Sequence, residues 1–146
     1  MTKIIRITAS TPHISDIISS LEKSKWQTLE HSAETSSLKD FIENENNYLL
    51  LAYESSEIVG MLIAYKLQKI DIRKIELLLY EIEVKRDFRK KGIATQLIEH
   101  LKEIGRKEGA HEIWVLMDIE NKDATQLYDS TFQKNKKQIM YSINLK

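Results

Sequence analysis

The sequence predicts an α/β fold in one domain, residues 1–146: a mixed sheet flanked by helices, in the order β-α-α-β-β-β-α-β-α-β. Three observations carry this. Short apolar runs bounded by polar residues, such as IELLLYEIEV and QIMYSINL, recur at strand length. Between them lie segments with apolar residues three and four apart, the pattern of a helix with one buried face. One proline, four glycines and no repeat or low-complexity tract leave no linker to divide 146 residues.

Lys3 to Thr8 alternates, with Ile5 and Ile7 on one face, and predicts a first strand. Thr11-Pro12 offers an N-cap followed by proline at the first helical position, and Ile14, Ile17, Ile18 and Leu21 continue a helix to about Lys25. Ser36 or Ser37 caps a second helix carrying Leu38, Phe41 and Ile42. Tyr48–Glu54 and Ile58–Leu67 read as a hairpin around Ser55-Ser56-Glu57. After a polar stretch, Gln68 to Lys74, Ile75–Val84 is too short and too apolar for a surface helix and predicts a buried strand. Strict alternation would set Leu78, Tyr80, Ile82 and Val84 on one face and Leu79, Glu81 and Glu83 on the other. Gly92 opens the clearest helix, with Ile93, Leu97, Ile98, Leu101 and Ile104 as its stripe and Gly109 as its stop. Glu112–Met117 is a further strand, Asn121 caps a short helix with Ala124, Leu127 and Tyr128, and Gln138–Leu145 alternates as a last strand.

Composition removes several function classes. Without cysteine there is no disulfide, no thiolate metal site and no cysteine acyl-enzyme. Twenty-two basic and 22 acidic residues cancel, which argues against nucleic acid held by bulk charge. MTKIIRITAS lacks the apolar core of a signal peptide, and no apolar run approaches bilayer-spanning length. A cytoplasmic protein without membrane or nucleic-acid partners is expected. His13, His31, His100 and His111 are scattered, and none forms a ligand spacing such as H-E-x-x-H, so no metal site is expected.

The chemistry concentrates in VKRDFRKKGIATQL, Val84 to Leu97. Five of its first eight residues are Lys or Arg, yet its position counts for more: a buried strand precedes it and an amphipathic helix follows. The first amides of a helix have no internal acceptor and sit at the positive end of the dipole. Gly92, without a Cβ, lets a ligand approach the backbone. Arg89, Lys90, Lys91, Gly92, Ile93, Ala94 and Thr95 thus read as a cradle for a pyrophosphate. Walker and dinucleotide glycine spacings are both absent.

V-x-x-x-x-R-x-x-G-I-A, from Val84 to Ala94, resembles the acetyl-CoA signature of the GNAT superfamily of N-acetyltransferases. Asn121-x-x-Ala124-x-x-Leu127-Tyr128 resembles that family's second motif. From about Asn47 to Leu145 the chain is similar to gentamicin-type aminoglycoside 3-N-acetyltransferases, through YLLLAYESSEIVGMLIAYKL, IELLLYEIEV, RKKGIATQLI and DATQLY. It departs in one place: where the family continues Y-x-x-x-G-[FI], this chain reads Tyr128-Asp129-Ser130-Thr131-Phe132.

The resemblance implies a mostly antiparallel mixed sheet with about four helices, and acetyl-CoA as co-substrate. It implies that the loop amides bind the CoA pyrophosphate and that the backbone of Ile82, Glu83 and Val84 pairs with the pantetheine arm. It implies a cofactor contact from Asn121, and Tyr128 as general acid to the leaving thiolate. It further implies a homodimer. Lacking cysteine, the chain would use direct attack by a primary amine, which needs a base because amines are protonated at neutral pH. Glu81 matches the acidic residue that follows tyrosine in the aminoglycoside enzymes and is the candidate base or amine anchor, with Glu83 second. Tyr80, Glu81 and Asp118 are candidate substrate contacts; Glu76 and Glu120 are further acidic candidates suited to a polycationic acceptor such as an aminoglycoside. Two alternatives stay open: the same fold acting on a peptide or protein amine or a metabolite, and a CoA-binding module without catalysis.

Overall fold

The computed structural model describes residues 1–24, 26, 35–70 and 74–145. Contacts divide it into two units, Met1–Leu116 and Met117–Lys146. The first holds β1 (Thr2–Ile7), α1 (Ile14–Lys23), α2 (Thr35–Glu43), β2 (Asn47–Glu54), β3 (Glu57–Gln68), β4 (Ile75–Val84), a 3₁₀ turn (Arg86–Phe88), α3 (Ile93–Glu108) and β5 (Ala110–Val115). The second holds α4 (Lys122–Thr131). This is the expected α/β architecture as far as α4.

The five strands lie in sequence order, β1-β2-β3-β4-β5. The first three pairings are antiparallel, and only β4 with β5 is parallel. One sheet face packs with α1 and α2 through Ile18, Leu21, Leu38, Ile42, Leu49, Leu51 and Met61, all buried, together with Trp26. α3 covers the other face with Ile93, Leu97, Ile98 and Leu101. Two close approaches seat it. A Cβ on Gly60 would stand 3.1 Å from Ile93 and 3.2 Å from Leu97, and one on Gly105 would stand 3.2 Å from Leu77. α3 has the bounds that the sequence predicts, with Gly92 and Gly109 both left-handed, at φ 78° and 76°.

The differences from expectation have local causes. Thr11 does not cap α1. Its hydroxyl accepts from the Thr8 amide at 2.8 Å and closes a turn, and His13, at φ 58°, occupies the cap position. Ser36 and Ser37 fall inside α2, which begins at Thr35. The hairpin turn is two residues, because Glu57 already pairs with Glu54. In β4 the alternation breaks: Ile63 pairs with Glu81 and Ala64 with Leu79, so Tyr80 is an extra, bulged residue. Leu77, Leu79, Ile82 and Val84 therefore share the α3 side, and Leu78, Glu81 and Glu83 the opposite side. β5 starts two residues early and stops at Val115, paired with Leu79, since the bulge ends the regular edge of β4; Leu116 and Met117 are left exposed.

Gln138–Leu145 forms no strand. Residues 133–145 carry no regular structure, and Ile139, Met140, Tyr141, Ile143 and Leu145 are exposed. Alternation makes a strand only where a neighbouring strand pairs with it, and the sheet among the described residues holds β1 to β5 alone. Lys25, His31 and part of Gln68 to Lys74 lie outside the described residues. Among the described residues no helix is long and apolar enough to cross a membrane.

Candidate functional site

The site is built where β4 runs into α3. Past Leu79, β4 has no strand partner on its β5 side among the described residues, which leaves the edge of Tyr80–Val84 available to an extended ligand. The chain then leaves the sheet under tight control. The Lys85 amide donates to the Val59 carbonyl at 2.8 Å, the Phe88 amide to Lys85 at 2.9 Å and the Arg89 amide to Arg86 at 3.3 Å. Arg89 Nε donates to the Val84 carbonyl at 2.8 Å, so this arginine locks the loop onto the strand end with one nitrogen while its terminal nitrogens remain to face an anion.

Lys90 at φ 58° and Gly92 at φ 78° are both left-handed, and they turn the backbone so that it enters α3 with its amides leading. The Gln96 amide donates to the Gly92 carbonyl at 3.0 Å, the first helical bond. The amides of Gly92, Ile93, Ala94 and Thr95 come before this bond and have no intrahelical acceptor, and no side chain caps them. The first turn of α3 carries no acidic residue, and a Cβ on Gly92 would project into open space. Four consecutive donors at a positive helix end, with Lys90 and Lys91 exposed beside them, are an arrangement suited to an anion. Lys91 Nζ lies 5.2 Å from the centre of the Phe88 ring, which steadies it near the loop. Ile93 is buried under α3; its contribution and that of the small Ala94 are backbone.

On the α1–α2 side of β4, Glu81 and Glu83 are half-buried next to an aromatic ladder. Phe41 of α2 meets Tyr65 edge-on at 5.9 Å, and Tyr65 meets Tyr80 at 5.4 Å. Tyr80 is 58% exposed because the bulge pushes it out of the ladder of strands. Burial raises the Tyr65 hydroxyl above its ordinary pKa, and the charges of Tyr80 and Glu81 add to this. The bulge at Tyr80 thus overturns the expected alternation of Tyr80 and Glu81, and Tyr80 meets Tyr65, whose hydroxyl also feels the charge of Glu81. Phe41 and Tyr65 join them without any sequence signal, since neither lies in a motif and only sheet register unites them.

Glu76 is elsewhere. It sits at the start of β4, 3.1 Å from Lys69 Nζ and accepting the Trp114 indole N–H at 3.1 Å, and these bonds hold its carboxyl below the ordinary value.

The second unit is organised by its own caps. Asn121 Oδ1 accepts the Ala124 amide at 3.1 Å, which makes Asn121 the N-cap of α4 as predicted and leaves its side-chain NH₂ to donate. Asp118 Oδ1 accepts the Glu120 amide at 2.9 Å and closes the preceding turn. Without that glycine, α4 ends at Phe132 in an extended conformation, the Phe132 amide donating to the Tyr128 carbonyl at 2.8 Å. Tyr128 packs edge-on against Phe132 at 5.7 Å. Burial pushes its hydroxyl above the ordinary tyrosine pKa, which keeps it protonated and able to donate.

A family model described as acetyltransferase (GNAT) family matches residues 15–132. Among solved structures, an aminoglycoside acetyltransferase, HMB0005, from an uncultured soil metagenomic sample is 26% identical, covering 100% of this chain and 99% of its own, with a TM-score of 0.83. A second, meta-AAC0020, also from an uncultured soil metagenomic sample and in complex with trehalose, is 22% identical over 99% of this chain and 97% of its own, with a TM-score of 0.86. AAC(6')-Iy in complex with a CoA bisubstrate analogue of acetylneamine is 18% identical over 99% of both chains, at a TM-score of 0.80. The latter two support the fold alone. Among curated proteins none matches.

Proposed function

The chain belongs to the acetyltransferase (GNAT) family, and from that premise we propose that it is an acetyl-CoA-dependent N-acetyltransferase whose acceptor is a primary amine of an aminoglycoside. The observation that carries this is the junction of the β4 edge beyond Leu79 with the first amides of α3, Gly92 to Thr95. A pyrophosphate on those amides, supplemented by Arg89, Lys90 and Lys91, leaves the extended arm of CoA to run along the backbone of Ile82, Glu83 and Val84. Asn121 contributes a further cofactor contact through its NH₂.

In this reading the acceptor's ammonium groups are drawn to Glu81, Glu83 and Asp118, with the Tyr80 ring against the apolar side of the sugar. Glu81, directly or through water, takes a proton from the attacking amine. The free amine adds to the thioester carbonyl, the C–S bond breaks, and the CoA sulfur leaves with a proton or hydrogen bond from Tyr128. No acyl-enzyme is formed, in keeping with the absence of cysteine. The enzyme would work as one domain in the cytoplasm, as a homodimer, without nucleic acid or membrane as partner.

The support for an aminoglycoside over another amine is the resemblance of this chain to HMB0005 across its whole length, together with the acidic and aromatic face of β4. The test is thiol release from acetyl-CoA with a panel of aminoglycosides, polyamines and peptide N-termini, with product masses identifying the acetylated amine. Turnover highest with aminoglycosides is expected. Turnover confined to peptides or metabolites would overturn the acceptor and keep the enzyme. CoA binding with no turnover on any amine would leave only a binding module.

A further inference from the structure

At the far end of β4, two carboxylates face each other. Glu76 of β4 is the register partner of Glu112 of β5, a juxtaposition that is repulsive by itself. Beside them the pairing is irregular: Ile75 pairs with Ala110 and Glu76 with Glu112, so His111 is an extra residue on β5. In a regular strand His111 and Glu112 would point to opposite faces. The bulge re-aims His111, and ligand atoms of Glu76, His111 and Glu112 all come within 4.8 Å of one another.

The surroundings leave acceptors converging on one point. His111 Nδ1 lies 3.0 Å from the Ile75 carbonyl, which can only accept, so Nδ1 carries the proton and the neutral ring keeps its lone pair on Nε2. That Nε2 faces Glu76 Oε1 at 3.6 Å. The other Glu76 oxygen is taken by the Trp114 indole at 3.1 Å. A histidine ring N–H on a backbone carbonyl, and a carboxylate oriented by a separate donor, are the outer contacts that accompany metal ligands. The cation now at this point is Lys69 Nζ, 3.1 Å from Glu76 Oε1 on a side chain 43% exposed.

We propose that Glu76, His111 and Glu112 bind a divalent transition-metal ion, Zn²⁺ first, with Lys69 as its displaceable competitor. One imidazole nitrogen and two carboxylates suit this ion, water completing its shell. The site is independent of acetyl transfer, and spacing alone does not reveal it, because a bulged neighbour pair across two strands has no linear motif.

The test is calorimetric titration of the full chain with ZnCl₂, with quenching of Trp114 fluorescence by Ni²⁺ as a local reporter. One saturable equivalent is expected. His111→Ala and Glu112→Gln should each weaken it at least about tenfold, while Lys69→Met should tighten it; metal-free thermal melts establish that each variant is folded. Glu112→Gln alters an exposed side chain, so it serves if His111→Ala does not fold. Absence of a saturable site, binding unchanged in the two ligand variants, or weaker binding in Lys69→Met would each overturn the proposal.

Discussion

The two ends of the β4–α3 layer treat their polar groups in opposite ways. Where β4 ends and α3 begins, the β4 edge beyond Leu79 has no strand partner among the described residues, the first amides of α3 have no intrahelical acceptor, and Arg89, Lys90 and Lys91 are exposed. Where α3 ends and β4 begins, nearly everything is paired. Glu108 receives Arg6 at 3.0 Å, Lys66 at 2.8 Å and the Tyr48 hydroxyl, which joins α3 to β1, β2 and β3. The Arg6 guanidinium lies 4.3 Å over the Tyr48 ring. Backbone polarity left unpaired costs stability and is retained where a ligand completes it; the paired end supplies rigidity instead. Substitutions at the two ends should therefore separate binding from stability.

The largest effect is expected from Gly92→Asp. It adds a negative charge and a side chain to the open space over the cradle, at a φ that disfavours side chains. CoA affinity measured by calorimetry should fall beyond detection while the fold persists. Retained affinity would mean that the open end is not the cradle.

Next come the two groups proposed for proton transfer, Tyr128 and Glu81. Tyr128→Phe and Glu81→Gln should each lower kcat by about a hundredfold or more, the usual share of a general acid or base, with the KM for acetyl-CoA little changed. Because burial holds Tyr128 above the ordinary value of 10.0, loss of its proton should not limit kcat at any pH below that value. An alkaline fall in kcat near pH 8 that disappears in Tyr128→Phe would reverse this assignment.

The open end was more legible in the sequence than the paired one. A helix N-terminus after a buried strand is a local event, so Gly92, Ile93 and the α3 stripe could be read from spacing, and Asn121 from its capping position. What escaped depends on register. Tyr80 and His111 are bulged residues, and a bulge leaves no mark on a run such as IELLLYEIEV; the face assignment of Leu79 failed for that reason. Phe41, Tyr65 and Tyr80 meet only through strand and helix packing, as do Arg6, Tyr48, Lys66 and Glu108. The alternation of QIMYSINL was real, but a strand also needs a neighbour.

At the paired end Glu108→Gln should cost roughly 1–3 kcal/mol and leave kcat at 25 °C unchanged. Burial alone would raise the Glu108 carboxyl; hydrogen bonds from Lys66, Tyr48 and Arg6 outweigh it and hold the carboxyl below its ordinary 4.5. The folded chain thus binds this proton less tightly than the unfolded chain. Its stabilisation is present above about pH 4.5 and is lost as pH falls through the depressed value. Denaturant melts between pH 7 and 3 should show a shallower acid loss in Glu108→Gln than in the parent chain, and parallel curves would remove Glu108 from the account.

The smallest effect gives the sharpest comparison. Gly92 and Gly109 bracket α3 with nearly the same left-handed backbone, and a Cβ on either meets nothing within 4 Å. Gly92→Ala and Gly109→Ala should therefore lose similar stability, about 1 kcal/mol each, as read by urea midpoints. Space and strain are alike at the two positions; only the polar groups nearby differ. Gly109 donates its own amide to the Arg106 carbonyl at 3.2 Å inside a closed helix end, whereas Gly92 stands among the first amides of α3, which have no intrahelical acceptor. CoA affinity should thus weaken in Gly92→Ala and hold in Gly109→Ala. An equal loss in both would mean that the cradle responds to the stability of α3 as a whole, not to access at its first turn.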